Sequence, residues 1–168
     1  IVVNTIPDSL ILTAGFPCQA FSIAGYRNGF NDERGNLFFS IIKILTEKRQ
    51  KPKVIFLENV KNLVSHDNGK TFQIIKNELQ KLGYKLHYKV LNTSEYGNIP
   101  QNRERIFIVG FLDETAWSKF IFPEKSTLTN DISYCLEKSK VDEKYYYKKD
   151  SPYYQALMET VTNENTTY

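Results

Sequence analysis

The alternation of short β-rich runs with helical patterns between Leu10 and Phe111 constrains the fold more than any other feature of the sequence. Apolar or alternating runs predict β-strands at residues 9–13, 54–57, 84–91 and 105–111. Apolar residues recur every three or four positions over 36–48 and 70–82, which predicts two amphipathic helices. Strands and helices in this order predict an α/β fold with a doubly wound sheet.

Composition narrows the class of protein. The 168 residues carry 22 Lys+Arg against 19 Asp+Glu, and the resulting net charge of +3 neither requires nucleic acid nor excludes it. The two cysteines, Cys18 and Cys135, exclude a disulfide scaffold, so we expect reduced thiols in a cytoplasmic protein. No apolar run approaches the ~20 residues of a membrane helix. His66 and His87 are too few and too separated to predict a metal site, and we interpret them as a loop residue and an exposed strand residue.

The character of the chain changes after Phe122, because 7 of the 11 tyrosines lie from Tyr134 onward. A helix is predicted at 152–161, with Ser151 as its cap. We therefore divide the chain into residues 1–122, which hold the predicted sheet, and 123–168, which lead away from it.

Cys18 comes directly after the first predicted strand, where open α/β sheets bind ligands. Gly15 and Pro17 restrict the loop and hold the thiol in place, although a small buried cysteine is the commoner fate of a lone thiol. Glu58 ends the next strand at the same predicted edge, where a carboxyl suits proton donation, with a loop or N-cap acid as the alternative.

A third signal is the pair Arg103 and Arg105, two of only five arginines in the chain. Alternation places both on one side of an extended segment. Two rigid guanidinium groups suit a phosphate or a carbonyl-bearing base, whereas a solvated charged turn is the plainer interpretation.

Together these residues resemble the DNA (cytosine-5)-methyltransferases of the bacterial restriction–modification type. The matching blocks, in family order, are Phe16-Pro17-Cys18-Gln19, Asp32-Glu33-Arg34-Gly35-Asn36-Leu37-Phe38, Glu58-Asn59-Val60 and Gln101-x-Arg103-x-Arg105. The resemblance covers residues 8–124. It implies a Rossmann-like fold that uses S-adenosylmethionine, of which this chain holds the C-terminal part of the catalytic sheet.

The resemblance also implies the chemistry of the site. Cys18 matches the nucleophile that adds to C6 of a flipped cytosine, so that C5 can accept the methyl group. Glu58 matches the acid that meets N3 of the base, and Arg105 the group that contacts O2. Arg103 is a candidate for the cation that favours the thiolate.

Other matches imply binding roles. Pro17 and Leu37 match positions of the cofactor pocket. The expected contacts with duplex DNA come from five polar residues: Gln19, Ser22, Arg34, Asn59 and Gln101.

The chain also departs from the family. The family's cofactor loop, F-x-G-x-G, needs two glycines separated by one residue, and none of the eight glycines here is so spaced. The segment Tyr96-Gly97-Asn98-Ile99-Pro100 has one residue more than the shorter Y-G-x-P-Q form. We therefore expect 1–122 to be a partial catalytic domain and 123–168 a connection toward a target-recognition domain that is missing. The fragment is expected to be inactive alone, and a complementary chain is a possible partner.

Other functions remain open at the level of sequence. A transfer-RNA cytosine methyltransferase is the nearest alternative, since one branch of the family modifies RNA. A non-catalytic subunit of a split methyltransferase is a second, against which the retention of Cys18, Glu58 and both arginines argues. Thymidylate synthase shares the cysteine chemistry, but its phosphate-binding arginines are not identifiable here.

Overall fold

The computed structural model describes residues 3–17 and 37–163, and within them four strands form one sheet. The strands are β1 (Ile11–Gly15), β2 (Val54–Val60), β3 (Lys85–Asn92) and β4 (Glu104–Phe111). The α-helices are α1 (Leu37–Glu47), α2 (Lys70–Lys81), α3 (Thr93–Tyr96), α4 (Glu114–Lys119) and α5 (Pro152–Asn163). Short 3-10 turns lie at Val3–Thr5, Lys61–Val64, His66–Gly69, Ile132–Cys135 and Glu143–Tyr145. The predicted α/β class and the helices at 36–48 and 70–82 are confirmed.

The strand order is β1-β2-β4-β3, and the strand directions are mixed. β1 and β2 are parallel, with Gly15 opposite Glu58 at their carboxyl ends. β4 lies between β2 and β3 and runs antiparallel to both. The connection between β3 and β4 contains only the single helical turn α3, which is too short for the crossover that parallel neighbours require. The sheet is therefore not uniformly parallel.

Helices α1 and α2 cover one face of the sheet. Alternate residues of the strands point toward them, and the buried members of this core include Ile55, Leu57, Ile106 and Ile108. The helices contribute, among others, Phe38, Ile41, Leu45, Phe72, Ile75 and Leu79. Gly110 lies in the same layer, where a Cβ atom would stand only 2.6 Å from Cγ1 of Ile55. The close approach of the β4 backbone to β2 side chains thus requires glycine at this position.

Aromatic side chains from α4 and from Phe120, the residue after it, cover one end of the opposite face of the sheet. His87 of β3 stacks on Trp117 with ring centroids 5.2 Å apart, and Phe120 lies 5.3 Å from both His87 and Phe111. The imidazole Nε2 is 2.8 Å from the carbonyl oxygen of Trp117. The sequence interpretation of His87 as an exposed strand residue is therefore wrong. The other end of this face carries Glu58 and Arg105.

The chain divides into two compact units, residues up to Asp131 and residues from Ile132 onward. The first contains the sheet. The second contains α5, whose first turn is capped by Ser151 Oγ, which accepts a hydrogen bond from Tyr154 N at 3.2 Å. The expected boundary after residue 122 stays a prediction. Among the described residues, no helix is long and apolar enough to cross a membrane.

Tyr84, between α2 and β3, provides a test of the packing. Its hydroxyl is buried and donates to the carbonyl oxygen of Pro52 at 2.7 Å. Burial raises the pKa of Tyr84 to about 12. The stability that this neutral hydroxyl contributes is full below the unfolded pKa of about 10 and is lost as the pH rises toward 12.

We predict that Tyr84→Phe costs about 1 kcal/mol at neutral pH, because the hydrogen bond is lost. Urea denaturation at several pH values measures the effect, and the variant should lose stability less steeply than the parent between pH 10 and 12. Tyr88→Phe, at a half-exposed position on β3, is the control. Equal slopes for parent and Tyr84→Phe would contradict the assignment.

Candidate active site

Three of the predicted catalytic residues line one pocket at the open end of the sheet. Glu58 reaches it from the end of β2, Arg105 from the start of β4, and Arg103 from the loop just before β4. The pocket has a volume of about 310 Å³, near the lower end of the ~300–1,000 Å³ usual for ligand pockets. Its other lining residues are Leu91, Asn92, Thr93, Tyr96, Gly97 and Phe107. A pocket of this size suits a single ring rather than a large ligand.

Glu58 and Arg105 form an ion pair inside this pocket. The guanidinium Nε of Arg105 is 3.0 Å from Oε1 of Glu58. The Arg105 side chain is 22% exposed and the Glu58 side chain 35%. Arg105 Nη1 also donates to the carbonyl oxygen of Glu104 at 2.8 Å, which fixes one side of the guanidinium plane. The pocket therefore presents a carboxylate and a guanidinium side by side, a pair that can face the polar edge of a planar heterocycle.

Gly15 makes room for the carboxyl group of Glu58. A Cβ atom at Gly15 would stand 3.3 Å from Oε2 of Glu58, which is tighter than ordinary contact. The two residues face each other in the parallel register of β1 and β2. The end of β1, three residues before Cys18 in the sequence, thus lies directly against the acid.

Asn59 lies on the core face of β2, one residue beyond the acid. It is 3% exposed, and its Nδ2 donates to the carbonyl oxygen of Phe16 at 2.7 Å. Its Oδ1 accepts from Val60 N at 2.8 Å. The resemblance implies a contact with DNA for Asn59, but a side chain buried in this way has no open face toward solvent. In this structure it fastens the segment that leads to Cys18.

The loop that carries Gln101 and Arg103 is tied to the chain beyond β4. Asn98, in the segment that is one residue longer than the shorter family form, has a left-handed backbone with φ of 50°. Its Oδ1 accepts from Thr129 N at 2.8 Å, and its carbonyl oxygen accepts from Asn130 Nδ2 at 2.9 Å. Gln101 is exposed on the same loop, as a residue that meets DNA would be.

Two described residues correspond to the expected cofactor contacts. Pro17 is exposed just after β1, and Leu37 opens α1 with 53% of its surface exposed. Both present apolar surface that fits the flat ring of a nucleoside. Neither has a side-chain group that could hold the charged amino-acid end of S-adenosylmethionine, so these two residues fit only part of that cofactor.

Four predicted site residues lie outside the described residues: Cys18, Gln19, Ser22 and Arg34. Their roles stay predictions. Among the described residues, no three His, Cys, Asp or Glu side chains come together as a metal site would require.

Several residues that line the pocket are not predicted from the sequence. Asn92, Thr93 and Tyr96 line it from the end of β3 and from α3, and Phe107 lines it from β4. One signal was available for Asn92, because an asparagine before Thr-Ser-Glu is a typical helix N-cap. Its nearness to Arg103 depends on the antiparallel pairing of β3 with β4, which the local sequence does not reveal.

The chain is similar to a known family of proteins. Residues 1–168 match the family of C-5 cytosine-specific DNA methylases. The chain is 48% identical to the type II methyltransferase M.Bsp6I of Bacillus sp. (strain RFL6) over 171 residues, which cover 100% of this chain and 54% of that protein. It is 50% identical to M.HhaI of Haemophilus parahaemolyticus over 150 residues, 88% of this chain and 44% of the relative. The chain thus spans about half the length of these relatives.

Solved structures resemble the fold as well. The methyltransferase EhMeth of Entamoeba histolytica superposes with a TM-score of 0.62 at 25% identity, over 84% of this chain and 42% of that chain. The Dnmt2 methyltransferase of S. pombe superposes with a TM-score of 0.52 at 22% identity, over 86% of this chain and 42% of its own. The second likeness shows the fold alone.

We predict that Asn59→Ala lowers the free energy of unfolding by about 1–3 kcal/mol, because it removes the donor to the buried carbonyl oxygen of Phe16. The urea midpoint measures this loss. Asn62→Ala, at an exposed position in the following turn, is the matched control and should leave the midpoint nearly unchanged. Equal midpoints for the two variants would show that Asn59 does not fasten the segment.

Proposed function

The chain belongs to the C-5 cytosine-specific DNA methylase family, and on that premise we propose that the protein built around it transfers a methyl group from S-adenosylmethionine to C5 of cytosine in duplex DNA. The observation that carries the proposal is the meeting of Glu58, Arg103 and Arg105 in one pocket. The chain spans 54% of M.Bsp6I and 44% of M.HhaI, so the activity is proposed for the whole protein.

Cys18 is the proposed nucleophile. C5 of cytosine is too weakly nucleophilic to attack a methyl donor unaided. Addition of the Cys18 thiolate to C6 breaks the C5–C6 double bond and turns the ring into an enamine whose C5 can attack. Only the thiolate adds, and a free thiol is partly ionised near neutral pH, so a nearby cation assists. Arg103, which lines the pocket, is the proposed cation.

Glu58 and Arg105 receive the charge that this addition pushes onto the ring. Glu58 shares a proton with N3, and the Arg105 guanidinium donates to O2. The ion pair between them, with Nε and Oε1 at 3.0 Å, supports these roles because the two groups already lie side by side. A cytosine presents N3 and O2 as neighbours on one edge, so the base would insert where the two side chains now meet.

S-adenosylmethionine, when bound, supplies the methyl group as the electrophile. In this chain Pro17 and Leu37 would contact it through apolar surface, and residues beyond these two would hold its charged end. Once C5 carries the methyl group, a base takes the C5 proton, and water is one candidate for that base. The C6–S bond then breaks, which restores the Cys18 thiolate and the aromatic ring, and N3 returns its proton to Glu58.

The cytosine must leave the duplex before any of these groups can reach it. Enzymes that modify a base in duplex DNA flip it into a pocket, and a pocket of about 310 Å³ supports the same step here. We assign contacts with DNA to Gln19, Ser22, Arg34 and Gln101, of which Gln101 is exposed on the loop before β4. Ser22 and Arg34 match positions near the DNA backbone. Such contacts position the duplex without reading its sequence.

We predict that Cys18→Ala abolishes methyl transfer in the whole protein. Transfer of tritiated methyl groups to cytosine-containing duplex DNA measures it. Cys135→Ala is the matched control, because Cys135 is an exposed free thiol in the second unit, and it should retain activity. Turnover by Cys18→Ala would remove the covalent mechanism.

The 168 residues alone provide a second test. We predict that they neither bind the cofactor tightly nor incorporate label, because none of their glycines has the spacing of the family's cofactor loop. Equilibrium dialysis with labelled cofactor and the same transfer assay measure both, with M.Bsp6I as the positive control. Clear incorporation by the chain itself would refute the expectation.

A further inference from the structure

The pocket depends on a loop whose two ends are bonded to each other. The ladder between β3 and β4 ends at the pairing of Asn92 with Glu104. Beyond it, Thr93 N donates to the carbonyl oxygen of Arg103 at 3.1 Å, and Thr93 Oγ1 donates to the same oxygen at 3.2 Å. Arg103 N donates to Oδ1 of Asn92 at 3.1 Å. Both backbone polar groups of Arg103 are therefore held although the residue lies outside the strand.

The Asn92 side chain makes most of the side-chain hydrogen bonds that join the two ends of this loop. Its Oδ1 also accepts from Ser94 N at 3.3 Å and from Ser94 Oγ at 3.1 Å, which caps α3. Its Nδ2 donates to Oδ1 of Asn102 at 2.6 Å. One amide group thus holds the first turn of α3 and the two residues that precede β4. Asparagine can do this because its side chain both accepts and donates.

The Arg103 side chain needs such support. Arg105 is fixed by Glu58 and by the Glu104 carbonyl oxygen, whereas among the described residues the Arg103 guanidinium makes no hydrogen bond or ion pair. Arg103 is also exposed, so its several rotatable bonds are free to sample many directions. A fixed backbone holds the origin of this side chain at the pocket that it lines and so restricts the region that the guanidinium can reach.

We propose that Asn92 is a positioning residue, which acts through the backbone of Arg103 to aim that guanidinium into the pocket. The catalytic consequence rests on the proposed function. The hydrogen bonds of Asn92 with Arg103 N and Asn102, here called the clamp, do not depend on it. Misplacing a catalytic group by about 1 Å costs on the order of 100-fold in rate. Loss of the clamp should therefore lower kcat and leave KM for the cofactor unchanged.

Two substitutions separate the clamp from the helix cap. Asn92→Ala removes both. Asn92→Ser keeps a cap for Ser94 N, but its shorter side chain does not span to Arg103 N. Asn77→Ala is the matched control, since Asn77 is an exposed asparagine on α2 that bonds only Gln73 among the described residues.

The first readout is the mobility of Arg103 in the 168-residue chain, measured by NMR. In the parent, the Arg103 amide should be protected from hydrogen exchange, because it donates to Asn92 Oδ1. Asn92→Ser should lose this protection while Ser94 N stays protected, and Asn77→Ala should change neither. Unchanged protection of the Arg103 amide in Asn92→Ser would overturn the proposal. This readout does not depend on catalysis.

The second readout is methyl transfer by the whole protein under single-turnover conditions. Asn92→Ala and Asn92→Ser should slow the reaction by about 10- to 100-fold. In an Arg103→Ala background the same changes should have no further effect, because Asn92 acts only through Arg103. An equal slowing in both backgrounds would show a general structural role instead and overturn the proposal. A parent that transfers no methyl group would refute the proposed function, and the NMR readout would then decide the clamp by itself.

Discussion

The antiparallel pairing of β2 with β4 is the constraint on which the candidate site depends. In this register Val60 at the end of β2 lies opposite Arg105 at the start of β4, and Glu58 lies opposite Phe107. Were β4 parallel to β2, its first residues would lie near Val54 at the other end of β2, four residues or about 13 Å from Glu58 at ~3.3 Å per residue. The reversed strand therefore brings the two arginines to the edge where β1 and β2 end.

The ion pair at this edge matters for geometry rather than for stability. Pairs between partly exposed side chains contribute at most about 1 kcal/mol to folding. Glu58 and Arg105 nevertheless lie on a face that also carries Phe56 and Phe107, whose rings pack 5.5 Å apart. Two opposite charges supported by aromatic rings form a surface that can exchange their mutual contact for a polar heterocycle. Within residues 3–17 and 37–163, the same face is covered at its other end by the stacked rings of His87 and Trp117.

Much of the fold could be predicted because its elements obey local rules. Helices α1 and α2 end within one residue of the predicted limits, since apolar spacing and a following Pro52 or Gly83 define them. β1 was predicted at 9–13 but spans Ile11–Gly15, because its limits follow from its pairing with β2, which runs from Ile11 opposite Val54 to Gly15 opposite Glu58. Strand direction, in contrast, follows from the length of connections and from neighbours distant in sequence. The resemblance grouped Glu58 with both arginines, but only the register explains how they meet.

The residues hardest to assign from sequence are the asparagines around the site. Asn59 and Asn92 each bond the backbone of a residue that leads to or carries a predicted catalytic group, and Asn98 ties the intervening loop to Thr129. A short amide side chain looks the same in a sequence whether it faces DNA, caps a helix or fastens a distant backbone, because each task uses one donor and one acceptor. At Asn59, Asn92 and Asn98 the fastening role dominates. In the proposed site, such bonds would hold the backbone of an exposed loop in place although the asparagines themselves do not touch the reacting atoms.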